Sequence, residues 1–125
     1  MQDFRNLLVW RRAHGFALTV HRVTGGIPRR GTPGIASQLH RAALSIGANI
    51  AEGCGRDSNA DLAKFLQIAI GSASEVENHL EFCIDAALIS RPDFDECHSE
   101  VVEIRRMLIG LLKKVRARPT GPTHT

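Results

Sequence analysis

Four segments of this chain carry apolar residues at alternating steps of three and four, and no segment alternates with a period of two. Steps of three and four place side chains on one stripe of an α-helix, whereas a half-buried strand needs a period of two. A narrow apolar stripe of this kind is buried most readily against other helices. The pattern therefore predicts an all-α fold, and we expect a four-helix bundle.

The predicted helix ends are marked by residues that start or stop helices. The first helix is predicted over roughly residues 6–24 and the second over 35–52, each followed by glycine-rich sequence. The third begins near Ser58, which precedes Asp61 with the spacing of a capping box, and the fourth begins near Pro92. Because the connections after the second and third helices are short, neighbouring helices should be antiparallel, which predicts up-down-up-down topology.

Each predicted helix has one apolar seam that should face the core. The clearest seam belongs to the third helix, where it runs from Leu62 to Ala87. In chain order, the four seams are Val9, Ala13, Phe16, Val20 and Val23; Leu39, Ala43, Ile46 and Ile50; Leu62, Leu66, Ala69, Ala73, Val76, Leu80, Ile84 and Ala87; and Phe94, Cys97, Val101, Ile104, Leu108, Leu111 and Val115.

The chain has the size and composition of one domain. Its 125 residues, 43% of them hydrophobic, are enough for one continuous core, so residues 1–117 are predicted as the bundle and residues 118–125 as a disordered tail. No run of about 18 apolar residues occurs, and charged residues interrupt the N-terminal segment where a secretory signal is apolar. The three cysteines form no CxxC pair, which suits a reducing compartment. We expect a cytoplasmic protein with free thiols and no membrane association.

Charge is unevenly distributed along the chain although the formal net charge is only +3. Residues 1–56 carry eight Lys or Arg against two acids, residues 57–103 carry two against eleven, and residues 104–125 carry six against none. Such banding lets the basic segments bind a polyanion, or lets oppositely charged helices of one or several subunits pair. Charge alone leaves both alternatives open.

Two predicted helices carry a second patterned face in addition to the core seam. On the third helix it contains Gly71, although an exposed glycine inside a helix costs about 1 kcal/mol relative to alanine. Isolated exposed apolar residues are ordinary on soluble proteins. The alternative that we favour is contact between subunits, in which Arg41 or Arg56 would pair with Glu75. The predicted oligomer interface consists of Arg41, Ser45, Asn49, Glu52, Arg56, Ile68, Gly71, Glu75 and Phe82.

Any bound RNA or DNA should be held through its phosphates. The chain has five Phe, one Trp and no Tyr, and it has no motif that reads bases. The alternative for each surface cation is an ordinary solvated side chain that pairs with acids. The candidate cations, which lie on faces turned from the seams or in the first loop, are Arg11, Arg22, Arg29, Arg30, Arg106 and Lys113.

No arrangement of residues predicts catalysis, a cofactor or a metal. The segment Gly53-Cys54-Gly55-Arg56 lacks the lysine and the spacing of a P-loop, and we interpret it as a helix stop followed by a tight turn. Cys83 and Cys97 are residues of a type that binds zinc, but both lie on or beside apolar seams, where packing is the better account. We therefore expect no enzymatic activity.

Residues 38–56 resemble the signature of a known family. They read Gln38-Leu39-His40-Arg41-Ala42-Ala43-Leu44-Ser45-Ile46-Gly47-Ala48-Asn49-Ile50-Ala51-Glu52-Gly53-Cys54-Gly55-Arg56. They are similar to the bacterial four-helix-bundle proteins named for the intervening sequences of 23S ribosomal RNA genes. The blocks Val9-Trp10, Ile27-Pro28, 64–69 and 71–77 resemble the family's other blocks in the same order, so the resemblance spans roughly residues 4–112.

The resemblance implies a left-handed four-helix bundle that assembles into a five-fold ring and has no known enzymatic activity. One branch of the family, the accessory variability determinant of diversity-generating retroelements, is a basic pentamer that works with a reverse transcriptase and RNA. This chain departs from that pattern in its acidic third helix, which argues against a uniformly basic barrel. The prediction is thus a non-enzymatic homopentamer that binds RNA or DNA through basic surface residues. The alternative is a protein interaction scaffold or accessory subunit that binds no nucleic acid.

Overall fold

The computed structural model describes residues 3–29 and 34–118. Over these residues it contains helices and no strand. A short 3-10 turn, Phe4–Asn6, precedes α1 (Leu8–Thr24), α2 (Ile35–Cys54), α3 (Asn59–Asp85) and α4 (Arg91–Ala117). Each helix packs against the helices before and after it in the order α1, α2, α3, α4, and α4 packs back against α1, whereas the described backbones of the diagonal pairs lie farther apart. The predicted all-α four-helix bundle is confirmed, while its left-handed twist stays a prediction.

The core lies where the four apolar seams meet. Leu39, Ile46, Leu66, Ile104 and Leu108 have no exposed surface. Burying one such side chain stabilises a fold by about 1.5–3 kcal/mol, so the seams supply the main driving force for bundle formation. In the part of the chain that the structure describes, no helix combines the length and apolarity needed to cross a membrane.

Ion pairs between neighbouring helices lie beside this core. Arg12 of α1 pairs with Glu100 of α4, with Nη2 and Oε1 3.0 Å apart. Arg105 of α4 pairs with Glu77 of α3, with Nε and Oε2 2.6 Å apart. Both pairs are partly shielded from water and therefore help to fix which sides of these helices face each other.

Polar side chains start α3 and α4 as helix caps. The Ser58 hydroxyl accepts a hydrogen bond from the backbone N–H of Asp61 at 3.1 Å, as the capping-box spacing predicts. Ser90 accepts from the N–H of Asp93 in the same way at 3.2 Å. Pro92 lies in the first turn of α4, where a missing N–H leaves no helical hydrogen bond unmade.

The end of α3 differs from the prediction. Ala87 was expected in the apolar seam, but α3 ends at Asp85, and Ala87 is exposed with a φ of 58°. The N–H of Leu88 donates to the carbonyl of Cys83 at 2.8 Å, which closes the helix in a Schellman motif. Cys83 is the last buried residue of α3, and Ile84 is only half-buried.

Two further expectations change in α2 and α4. Leu112 is buried near the end of α4, whereas the predicted seam residue Leu111 is only half-buried. Counted from the buried Leu108, a step of four residues returns closer to the same side of an α-helix than a step of three. Gly53 does not stop α2 but lies inside it, since the helix continues to Cys54. A Cβ at Gly53 would come within 3.0 Å of Leu62 Cδ1 and Phe65 Cβ, so this glycine allows α2 and α3 to approach closely.

The other helix starts and ends lie near their predicted positions. α1 begins at Leu8 rather than near residue 6, because Asp3 caps the preceding 3-10 turn by accepting from the N–H of Arg5. The predicted disordered tail, residues 118–125, lies outside the described residues except for Arg118.

Candidate interaction surfaces

The two predicted second faces lie side by side on neighbouring helices. The hydroxyls of Ser45 on α2 and Ser72 on α3 share a hydrogen bond of 2.7 Å. Ile68 and Glu75 lie one turn before and one turn after Ser72, so they flank it on the side of α3 that faces α2. The structure thus joins the two predicted stripes into one surface. We call it the α2–α3 face, and it comprises Arg41, Ser45, Asn49, Glu52, Arg56, Ile68, Gly71, Glu75 and Phe82.

The α3 part of this face is apolar and open. Ile68 is 43% exposed and Phe82 50% exposed. A Cβ built at Gly71 would meet no atom within 4 Å, so nothing in the chain itself requires glycine there. We call Ile68, Gly71, Glu75 and Phe82 the α3 stripe. The packing of a single bundle does not explain why Ile68, Gly71 and Phe82 occupy these positions.

The polar side chains Ser45 and Asn49 of the α2–α3 face are hydrogen-bonded within the chain. The Asn49 side-chain amide donates to the Ser45 carbonyl at 2.8 Å and to the Ser45 hydroxyl at 3.0 Å. These bonds fix the Ser45 and Asn49 side chains against α2 and leave less of their polar surface for a partner.

The charges of the α2–α3 face are partly paired. Arg56 Nη2 lies 2.9 Å from Glu52 Oε2, and the Arg56 guanidinium also lies over the ring of Phe65. Glu75 Oε2 lies 3.3 Å from His79 Nε2. Of the two cations predicted to pair with Glu75, only Arg41 has no carboxylate partner among the described residues.

An apolar groove that the sequence pattern does not predict runs between α1 and α2. It has a volume of about 250 Å³ and is lined by Phe4, Trp10, Ala13, His14, Ala17, Ala43, Leu44, Gly47, Ala48 and Ala51. The Trp10 indole lies against α2 at Gly47, where an added Cβ would be in ordinary van der Waals contact with Nε1 at 3.5 Å. Trp10 also stacks on His14, with ring centroids 4.8 Å apart. We call this surface the α1–α2 groove.

Exposed apolar residues and one arginine border the groove. Leu44 is 50% exposed, and Leu18, one turn after His14 on the same side of α1, is 60% exposed. Arg41 precedes Leu44 by one turn of α2, whereas Arg11, which follows Trp10, lines a cleft between α1 and α4 that also contains Glu96 and Glu100. Neither arginine has a carboxylate partner among residues 3–29 and 34–118. The sequence signal that could have indicated this surface is the set of small residues Gly47, Ala48 and Ala51 on α2, because small side chains permit close approach of another chain.

The predicted nucleic-acid-binding cations do not form one patch. Arg22 is held by two carboxylates of α4, with Nη1 3.4 Å from Asp93 and Nη2 2.8 Å from Glu96. Arg106 Nη1 lies 3.8 Å from Glu103 Oε2. Lys113 is exposed near the other end of the bundle from Arg22.

The remaining candidates from that set lie in α1 and in the first loop. Arg11 Nη1 donates to the Arg5 carbonyl at 3.2 Å. Arg29 is exposed at the edge of the described loop, and Arg30 lies outside the described residues. Arg11 therefore lies toward the Lys113 end of the bundle, and Arg29 lies beyond the opposite end of α1, where Arg22 is.

A more compact group of cations lies at the C-terminal end of α4. Lys113, Lys114, Arg116 and Arg118 are exposed, and none pairs with a described carboxylate. The end of a helix carries partial negative charge, which stabilises cations there. We call these four residues the basic end of α4.

The three cysteines are free and buried. Burial raises the pKa of each thiol, and for Cys97 burial together with the neighbouring Glu96 carboxylate raises it to about 11. The part of the chain that the structure describes contains no group of three or more His, Cys, Asp or Glu side chains placed to hold a metal ion.

Comparison with known proteins identifies similar families and structures. A family model described as 23S rRNA-intervening sequence protein matches residues 5–110. Six chains of solved structures match. One is a crystal structure of a protein of unknown function from the S23 ribosomal protein family of Bacteroides thetaiotaomicron. It is 29% identical to this chain, covers 85% of it and 99% of its own length, and has a TM-score of 0.79. No curated protein matches.

Proposed function

This chain belongs to the family of 23S rRNA-intervening sequence proteins, and from that premise we propose that it is a non-enzymatic bundle that assembles into a homopentamer through its α2–α3 face. The observation that carries the proposal is the α3 stripe, where two large apolar residues flank a glycine that the isolated chain does not need. The five-fold number comes from the family resemblance.

Both the exposed apolar side chains and the glycine of the α3 stripe support close contact with another copy. Burying a Phe or Ile side chain fully stabilises by about 1.5–3 kcal/mol, so covering the exposed halves of Phe82 and Ile68 would contribute roughly 1 kcal/mol each per contact. Gly71 between them lets a second backbone approach, which a larger side chain would prevent. Repeated around a closed ring, such contacts add up.

Size-exclusion chromatography with light scattering tests the assembly. At micromolar concentration we expect a mass of about five times the 13.7 kDa of one chain. Phe82→Glu should lower the mass toward that of the monomer while leaving the helical circular dichroism unchanged. Leu8→Glu is the matched control, since Leu8 is 54% exposed but lies beside α4, away from the α2–α3 face. A monomeric wild-type protein would refute the proposal.

A second function, binding of RNA or DNA phosphates, is favoured by the basic end of α4. Its four cations have no carboxylate partners among the described residues, unlike Arg22. Phosphate contacts of this kind release counterions, so affinity should fall steeply with salt. Five copies in an assembly would multiply the contacts of one chain.

Fluorescence anisotropy of a labelled single-stranded RNA tests this binding at about 50 and 200 mM salt. Lys113→Gln combined with Lys114→Gln should weaken binding and lower the salt slope by about 1–2. Arg22→Gln is the control and should change little, because its charge is already neutralised by Asp93 and Glu96. If the assembled wild-type protein binds no RNA or DNA at about 50 mM salt, the protein-binding scaffold becomes the better proposal.

A further inference from the structure

The α3 stripe and the α1–α2 groove are two different exposed surfaces with opposite shapes. The stripe is a ridge on which Ile68 and Phe82 project from α3. The groove is a concave strip of about 250 Å³ whose α2 side contains Gly47, Ala48 and Ala51. We infer that the α3 stripe of one copy docks into the α1–α2 groove of the next copy. This inference rests on the self-assembly proposed above, and it specifies the contact that holds the ring.

The charges around the two surfaces are complementary. Helix α3 carries five carboxylates against Lys64, and Glu81 and Asp85 near Phe82 have no ion pair with any described residue. Of the four arginines of α1 and α2, Arg12 and Arg22 pair with carboxylates of α4, which leaves Arg11 and Arg41 as the two cations without a described carboxylate partner. A ridge-to-groove contact therefore brings opposite charges together, with Arg41 available to Glu75. A ridge-to-ridge contact would bring acidic helices together, which is unfavourable.

The positions of the two surfaces on the bundle also suit a closed ring. Because α2 packs between α1 and α3, the two surfaces adjoin the same helix and lie on adjacent sides of the bundle, so their directions differ by about 90°. A head-to-tail ring requires about 90° for four subunits and about 108° for five. Surfaces on opposite sides of the bundle, as α2–α3 and α1–α4 are, would instead favour an open filament.

This docking arrangement also determines which helix faces the axis of the ring and which lies on its outer surface. Helix α2 lies between the two contacts and faces the axis of the ring. Helix α4 is diagonal to α2 and lies on the outside. The ring would thus carry five copies of the basic end of α4 on its outer surface, where a long polyanion has access.

Chemical cross-linking tests the docking directly. Asn78→Cys lies on α3 between Glu75 and Phe82, and Ala48→Cys lies in the groove. In the double variant, a short bis-maleimide should join one chain to the next and give a denaturing-gel ladder up to the full ring. Either single variant should give monomers only. The wild-type protein is the reagent control, because its three thiols are buried.

The controls separate this inference from the proposed function. Light scattering on each unreacted variant first establishes whether it is assembled, and a monomeric wild type refutes the assembly itself. An assembled double variant that gives no ladder overturns the docking while leaving the assembly intact. Dimers from Asn78→Cys alone would also overturn it, because they require a ridge-to-ridge contact. Asn78→Cys combined with Gly110→Cys on α4 should give no ladder.

Discussion

Replacing Gly71 by glutamine tests whether a second copy covers the α3 stripe. Gly71 lies inside α3, and a Cβ there would meet no atom of the same chain within 4 Å. Glycine in a helix interior is about 1 kcal/mol less favourable than alanine, and glutamine is among the better helix formers. In an isolated chain, Gly71→Gln should therefore stabilise the fold by roughly 0.5–1 kcal/mol.

Gly110 provides a matched control for this substitution. It lies inside α4 and is equally open to added atoms. Gly110→Gln should raise the thermal unfolding midpoint by about 2–5 °C in a chain of this size. At Gly71 the same side chain would be forced between two subunits, and overpacking of that kind costs about 1–3 kcal/mol. This cost exceeds the gain in helix propensity and corresponds to a roughly 5- to 150-fold weaker contact.

The assay combines thermal unfolding followed by circular dichroism with light scattering over a concentration series. We expect Gly110→Gln to remain assembled and to unfold at a higher temperature than the wild type. Gly71→Gln should already be dissociated at protein concentrations at which the wild type is still assembled, and its thermal unfolding midpoint should not rise. Equal gains in midpoint with unchanged assembly for both variants would refute the reasoning, because the α3 stripe would then face water.

Three further predictions concern single features of the fold. Ala87→Gly should stabilise the chain by about 1 kcal/mol in urea unfolding, because Ala87 has a φ of 58° that glycine adopts freely; no gain would contradict the inferred strain. Ser45→Ala should destabilise by about 1–2 kcal/mol by removing the partner of the Ser72 hydroxyl, and the double replacement of both serines should recover much of that loss. Cys97 should resist alkylation at pH 8 and react faster as the pH approaches about 11, where its thiolate forms; rapid labelling of the folded protein at pH 8 would contradict its burial.

The fold could be predicted from the sequence because the apolar spacing determines which side of each helix is buried. Residues such as Ile46 and Leu66 repeat at helical steps and are buried as the pattern requires. The prediction failed where the pattern continued past a helix end. Ala87 fits the seam by spacing, but the Schellman closure between Leu88 and Cys83 ends the helix first. Spacing contains no information about that closure.

The candidate surfaces were only partly predictable. A helical projection of α3 alone places Ile68 and Phe82 away from the core, and the structure confirms that both are exposed. The α1–α2 groove depends on where Trp10 meets Gly47, which is set by the register of two helices that no local pattern specifies. The pairing of Arg22 with Glu96 was missed for the same reason, since the two residues are far apart in the sequence.

The segment 38–56 separates what the fold requires from what assembly would use. Trp10 of α1 lies against Gly47, Ser45 bonds to Ser72 of α3, and Gly53 allows the close approach of Leu62 and Phe65, so these contacts position α2 between its two neighbours.

Arg41 and Ala48 of the same segment are exposed, and Arg41 pairs with no described carboxylate. Packing of the single chain does not account for either residue. A ring in which α2 faces the axis does, because Arg41 then lies beside the acidic α3 of the neighbouring copy and Ala48 lets that helix approach. On this argument, replacing Arg41 should weaken assembly without changing the stability of the isolated bundle, whereas replacing Gly53 should weaken the bundle itself.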